Sequence, residues 1–308
     1  MNLLYNKNIA EYLFSNSEAI VYTPNILDSI IASGALKSKF GFDVHILNNI
    51  YGESISGAIC IRISKKFADL KNCLIIDIEN SSSNSDDDNY YVIDTNKLSV
   101  TSLIAELFGI NMPEIIIRNV DKVTSFDLKT KTSFEFLVSF FMEWHKLKNN
   151  KFFKFASEHN WTQLLASVKA LYSQFVELDA SVKIHFHPIF KSNEITAYDL
   201  KIEPEFKDIE YLPELCAIKS IEECTFSDVN VIFYEDVLED SNNILNMFLC
   251  ARELKLQLKL ITELKQFFLA NVITLPNLSI LKLSNTENNT TLKKKILYKI
   301  QKLNLQKK

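Results

Sequence analysis

The sequence predicts an α/β protein: a mostly parallel sheet flanked by helices, then a helical linker and a second, smaller α/β domain. Three observations lead there. Short apolar runs of strand length alternate with helical stretches through the N-terminal part, and such alternation makes a parallel sheet with helices on both faces. The stretch "VYTPNILDSIIASGAL", residues 21–36, has the form of a strand, a tight turn and a small-residue helix packed close to its sheet; in open α/β sheets that turn is where ligands sit. From residue 133 the periodicity becomes helical. Phe134, Leu137, Val138, Phe141 and Trp144 form one apolar stripe, and Trp161, Leu164, Leu165, Val168, Leu171 and Phe175 form another.

Taken in order, strands are expected at 20–22, 43–47, 57–62, 73–77, 90–94 and 114–118. Helices are expected at 3–15, 28–40, 64–70 (with Ser64 as N-cap) and 100–108. The segment "SSSNSDDDN", 81–89, reads as a solvated acidic loop, with a metal-binding Asp triplet as the alternative. Two core-packed helices fill 133–178. A hairpin follows, 182–190 and 194–202 around Lys191-Ser192-Asn193, then a buried strand at 228–234, a long helix at 242–269 and a strand at 278–283. The domains are therefore 1–132, 133–178 as a helical bridge, 179–284, and a basic amphipathic tail, 285–308. In the tail, Leu292, Ile296, Ile300 and Leu303 share one helical face, with Lys293, Lys294, Lys295, Lys299 and Lys302 around it. That pattern suits a packed terminal helix, and equally a hook for an acidic partner or nucleic acid.

Composition excludes several classes. A chain of 308 residues is long for one core, and 47% hydrophobic residues suffice to bury two. No apolar run reaches the roughly 20 residues of a membrane span, and the first residues lack the pattern of a signal peptide. Cys60, Cys73, Cys216, Cys224 and Cys250 form no C-x-x-C pair, so buried thiols in a reducing cytoplasm are expected rather than zinc or disulfides. A net charge of −4 gives no global basic footprint for nucleic acid. The last glycine is Gly109, so no glycine-rich phosphate loop exists beyond it. His185 and His187 alternate on one strand face, but a zinc site there would need a third ligand.

Three motifs carry chemistry by their order. "NILDSIIASGAL" follows the first parallel strand, "CLIIDIEN" ends a central strand at Asp77, and "YYVIDTN" ends the next at Asp94 before the helix "SVTSLIAELFGI". This order resembles the DHH phosphoesterase superfamily, the RecJ-like group. The resemblance implies a DHH-type first domain, a DHHA1-like second one, and a site for two divalent metals. There, carboxylates and imidazoles at strand ends would activate a water and clamp a phosphodiester. Asp28, Asp77, Asp94 and Asp121 (in "IIIRNVDKVTSFDL") match the acidic positions. The first aspartate of the opening motif is Ile26 here, the histidine ahead of it has no counterpart, and the Asp-His-His triplet has become Asp94-Thr95-Asn96. The family's glycine-rich motif in the second domain is absent as well. The resemblance therefore implies a ruined site without catalytic residues or cofactor. It points to the inactivated branch, an archaeal and cytoplasmic replicative-helicase cofactor that joins the GINS complex and the MCM ring and contacts single-stranded DNA, with Lys293, Lys294, Lys295, Lys299 and Lys302 as candidate contacts. The alternatives are a weak phosphoesterase or exonuclease with manganese or magnesium held by Asp28, Asp77 and Asp121, and a plain single-stranded DNA-binding module.

Overall fold

The structure is a computed structural model that describes residues 3–5, 19–79, 88–181, 184–202, 212–224, 226–235, 244–267, 270–275, 277–284 and 288–305. The chain divides into two compact units, Met1–Phe175 and Val176–Lys308.

In the first unit a six-stranded sheet runs in the order β1-β8-β7-β5-β2-β3. Its strands are β1 (Leu3–Tyr5), β2 (Val21–Pro24), β3 (Val44–Leu47), β5 (Ile59–Ile61), β7 (Leu74–Asp77) and β8 (Tyr90–Asp94). All pairs are parallel except β1 with β8, where Leu3 faces Asp94. Two short strands, β4 (Ser54–Ser56) and β6 (Asp69–Lys71), pair beside it. The helices are α1 (Leu27–Phe40), α2 (Val100–Leu107), α3 (Glu114–Thr124), α4 (Lys131–Phe141), α5 (Lys151–Ser157) and α6 (Trp161–Ser181), which runs across the unit boundary.

Helix α1 is buried from Leu27 through Leu36, as expected for a helix apolar all round. It ends at Gly41, whose φ of 76° lets its N–H return to the Lys37 carbonyl at 2.8 Å. Its small residues serve a helix as much as the sheet: a Cβ on Gly34 would lie 2.7 Å from the Cβ of Ala156 in α5. The helical stretch after residue 130 thus lies against the first sheet's own helix.

Four expected elements differ. Residues 3–5 are strand, because Leu-Leu-Tyr completes the open edge of β8; the rest of the expected helix at 3–15 lies outside the described residues, as do 81–87 of the acidic loop. The run at 64–70 makes a single turn, in which the Ser64 carbonyl accepts from Phe67 and Ala68, and then enters β6, where Leu70 is buried between exposed Asp69 and Lys71 in the alternation of a strand. The run at 114–118 is helix, not strand. Its β-branched residues suggest a strand, but Ile116 and Val120 are buried four residues apart while Ile115 is half exposed, which is a helical stripe. The expected helix at 242–269 is a strand followed by a helix. Leu245 through Ala251 are buried on both faces of a central strand, so the run carries no alternation to mark it.

The second unit has a six-stranded sheet in the order β13-β14-β12-β11-β10-β9. These are β9 (Ile184–Lys191), β10 (Ile195–Ile202), β11 (Val229–Glu235), β12 (Ile244–Ala251), β13 (Ala270–Leu275) and β14 (Leu278–Ser284), and only β10 with β11 is parallel. Helices α8 (Leu254–Phe267) and α9 (Asn289–Leu305) close one face over a core of Val231, Phe233, Met247, Leu260, Leu281 and Ile296. Helix α7 (Leu212–Glu223) covers the other, where Tyr198 Oη donates to the Glu223 carboxylate at 2.8 Å. Among the described residues no helix is long and apolar enough to cross a membrane.

Candidate functional site

The first sheet sets the site by its strand order. β8, β7, β5 and β2 lie side by side and parallel, so their carboxyl ends form a row: Asp94, Asp77, Arg62 just beyond β5, and the Thr23–Asn25 turn. The chain places β3 on one side of β2 and β5 on the other. The switch point of the sheet is therefore between β2 and β5, where α/β proteins bind ligands.

Asp28 stands in the first turn of α1 and is 3% exposed. Its Oδ2 accepts the Val100 N–H at 3.0 Å and its Oδ1 the Thr101 N–H at 2.8 Å, while Thr101 Oγ1 donates to its carbonyl at 2.7 Å. The carboxylate thus caps the start of α2. Ser99, the N-cap of α2, accepts the Ser102 N–H at 3.0 Å and donates its hydroxyl to Asp121. Two carboxylates meet the positive end of one helix, which favours both. Burial still raises the Asp28 pKa, against the Arg62 charge and the two amides.

Asp94 folds onto its own turn. Its Oδ1 accepts the Asn96 N–H at 3.0 Å and the Asn96 side-chain amide at 3.1 Å. Asn96 is therefore the partner of Asp94; Thr95 is exposed and Ile26 is the N-cap residue of α1. Asp77 Oδ1 accepts the N–H of Ile78 at 2.7 Å and of Glu79 at 3.3 Å, and lies 3.4 Å from Arg62 Nη1. Arg62 Nη2 reaches Glu79 Oε1 at 3.2 Å. Burial pushes the Asp77 carboxyl up to about 6, with the Arg62 attraction working against it. For Arg62 burial lowers the pKa, but Asp77, Glu79 and Asp28 outweigh it and leave it raised.

The turn at 23–25 is fastened from a distance. Trp144 Nε1 donates to the Asn25 carbonyl at 2.9 Å, and Asn25 Nδ2 donates to the Trp144 carbonyl at 2.6 Å and to Asn48 Oδ1 at 2.9 Å. Beside it Thr23 Oγ1, Asn25 Oδ1 and Ser29 Oγ are buried without a protein partner.

As a donor set for two divalent ions this arrangement does not fit. Both oxygens of Asp28 face main-chain amides, Oδ1 of Asp77 faces amides and a guanidinium, Oδ1 of Asp94 faces Asn96 and Oδ1 of Asp121 faces Ser99. Hard cations need several oxygens converging on one point. Among the described residues no three His, Cys, Asp or Glu side chains gather where they could hold a metal ion. His187 is exposed, and the side chain of His185 lies outside the described residues. The five cysteines are buried thiols.

The tail lysines divide. Lys293 is buried and bonds Asp199 at 2.7 Å and Glu235 at 2.8 Å. Lys294, Lys295 and Lys302 are exposed and Lys299 is half-buried. Sequence reasoning missed Arg62. The available signal was an arginine inside the apolar run "CIRI" directly after a strand, since a charge in such a run must find a buried partner.

No family model matches the sequence, and no curated protein matches it. Among solved structures the chain is similar to the CDC45 from Entamoeba histolytica, with a TM-score of 0.50 at 12% identity, covering 95% of this chain and 97% of that one. It is also similar to an exopolyphosphatase-related protein from Bacteroides fragilis, with a TM-score of 0.48 at 11% identity over 98% of this chain and 97% of that one. A third is RecJ in complex with Mn2+ from Thermus thermophilus, with a TM-score of 0.41 at 9% identity over 95% of this chain and 53% of that one. The first likeness runs end to end on both chains. The chain has the fold of CDC45, an α/β architecture with a largely parallel first sheet as the order of its elements predicts.

Proposed function

We propose that the chain is a catalytically inactive DHH-type scaffold of DNA replication, docking on the GINS complex and the MCM ring as part of a CMG-like helicase. The observation that carries this reading is the engagement of the four aspartates. Asp28, Asp77, Asp94 and Asp121 are each bonded to the protein's own donors. A phosphoesterase needs such oxygens turned toward an ion and a water; a scaffold needs them turned inward, where they hold the fold. The CDC45 fold over the whole chain supports the same reading. The partners are those that the resemblance to the helicase cofactor implies, with no metal cofactor.

The test is to mix the purified chain with GINS from the same source and read the mass by light scattering after gel filtration. One peak at the summed mass is expected, and two separate peaks would sink the proposal. A companion assay follows single-stranded DNA in manganese. No exonuclease activity that Asp77→Ala abolishes is expected; if it appears, the chain is a RecJ-like enzyme that holds manganese or magnesium.

A further inference from the structure

Arg62 is held in a way that packing alone does not require. It follows the last residue of β5 with a φ of 56°, in the left-handed region that residues other than glycine rarely adopt. Such a conformation persists only where the surroundings enforce it; Asn72, Phe126, Leu147, His159 and Asn277 share it, and Arg62 differs from them in being a buried cation set against two carboxylates. The Arg62 N–H still bonds the Ile76 carbonyl at 3.0 Å. The guanidinium is 5% exposed and uses separate nitrogens for Asp77 and Glu79. Asp28 lies close enough that its charge and that of Arg62 act on each other. The position is the switch point between β2 and β5, at the centre of the row of strand ends.

We infer that Arg62 is the resident cation of this centre: its guanidinium neutralises Asp77 and Glu79 in place of a divalent ion, so the centre is complete without metal. The chemistry favours arginine for this. A guanidinium cannot lose its proton at any physiological pH, and its planar fork satisfies two carboxylates at once. A divalent ion brought to the same carboxylates would stand beside a fixed positive charge. Asp28 needs less from Arg62, because the amides of α2 already meet it. The inference rests on the DHH-type fold and not on the replication partners. Its tests use the chain alone, so failure to bind GINS leaves it standing.

The first test is thermal unfolding of the wild type in EDTA and in excess Mn2+. Equal melting temperatures are expected. A rise of more than about 5 °C with Mn2+ would show a metal site in the folded state and overturn the inference. The second is a cycle of Arg62→Met, Asp77→Asn and the double variant, because a buried charge stripped of its partner is destabilising while loss of both is far milder. Arg62→Met should melt well below the wild type. Adding Asp77→Asn to it should raise the melting temperature at neutral pH, by more than the same substitution does in the wild-type background. The double variant still reports if Arg62→Met does not fold, since it lacks that unpaired carboxylate. A double variant no more stable than Arg62→Met overturns the inference. Chemical complementation separates charge from shape: millimolar methylguanidinium should raise the melting temperature of Arg62→Ala and leave the wild type unchanged. Equal rescue by methylurea, which has the shape without the charge, would make Arg62 a packing residue.

Discussion

Asp77 ends β7 within reach of a guanidinium and two main-chain amides, yet its carboxyl titrates near 6 because burial outweighs them. The opposing effects are those of any buried ion pair: attraction returns part of what desolvation takes. The sign of the pH effect follows. The folded chain holds this proton more tightly than the unfolded chain, where an aspartic acid titrates near 4. The stabilisation is fully present below about pH 4 and is lost as the pH rises through about 6. At about 1.4 kcal/mol per unit of displacement, the range is about 3 kcal/mol. Asp77→Asn carries no such proton. Urea unfolding at pH 4 and at pH 7 should therefore show a difference smaller than the wild type's by up to about 3 kcal/mol. An unchanged difference would mean that the carboxyl is solvated. The raised pKa of Asp28 has the same sign, so this variant flattens the profile without abolishing it.

At the scale of elements, α2 shows what the Asp28 carboxylate does. The amides of Val100, Thr101 and Ser102, which no helix can satisfy internally, are taken by Asp28 and Ser99. Asp28→Ala strands two buried amides and should cost about 3 kcal/mol of unfolding free energy, read by urea denaturation at neutral pH. A loss under about 0.5 kcal/mol, ordinary for a surface change, would deny the cap. Gly34 gives a steric counterpart. A methyl group there meets Ala156 at 2.7 Å and the Phe153 carbonyl at 3.0 Å, so Gly34→Ala should destabilise by about 1–3 kcal/mol despite alanine's better helix propensity. If Gly34→Ala stabilises, α5 moves freely on α1. These elements also mark what the sequence could disclose. The parallel strands and α1 were legible because turns and short apolar runs bound them, and the strand-end aspartates fell where expected. The helix at Glu114–Thr124 was not, since its isoleucines favour strand and only the neighbours of α3 decide which of them is buried. β12 was not, because a strand covered on both faces has no period. The occupation of the carboxylates was the least legible feature. Arg62, Asn96, Ser99 and the α2 amides are ordinary residues until folding brings them to Asp77, Asp94, Asp121 and Asp28.

For the whole molecule, the terminal helix decides whether the basic tail is a hook or a wall. Leu292, Ile296, Ile300 and Leu303 of α9 belong to the same core as Val231, Phe233 and Met247 of the second sheet. Lys293 adds ion pairs to Asp199 and Glu235, and holds the Glu235 pKa down against its burial. Removing four buried aliphatic side chains at about 2–4 kcal/mol each is comparable to the 5–15 kcal/mol that stabilises an ordinary domain. A chain that stops before Asn289 should therefore lose the cooperative fold of Val176–Lys308, whereas the first unit has strands, helices and buried residues of its own. Limited proteolysis with mass spectrometry reads this directly: fragments ending near residue 175 should persist, and peptides from β9 to β14 should vanish. Protection of those strands in the truncated chain would make α9 a detachable arm. Truncation is consequently the wrong probe of a partner or DNA contact, since it removes a wall of the core. Lys294→Glu with Lys302→Glu reverses charge on the exposed face only. It should leave the melting temperature within about 2 °C of the wild type, because surface substitutions rarely exceed 0.5 kcal/mol. Should that pair weaken single-stranded DNA binding and flatten its salt dependence while the melt stays put, the tail's outer face is the contact; unchanged binding places the contact elsewhere on the molecule.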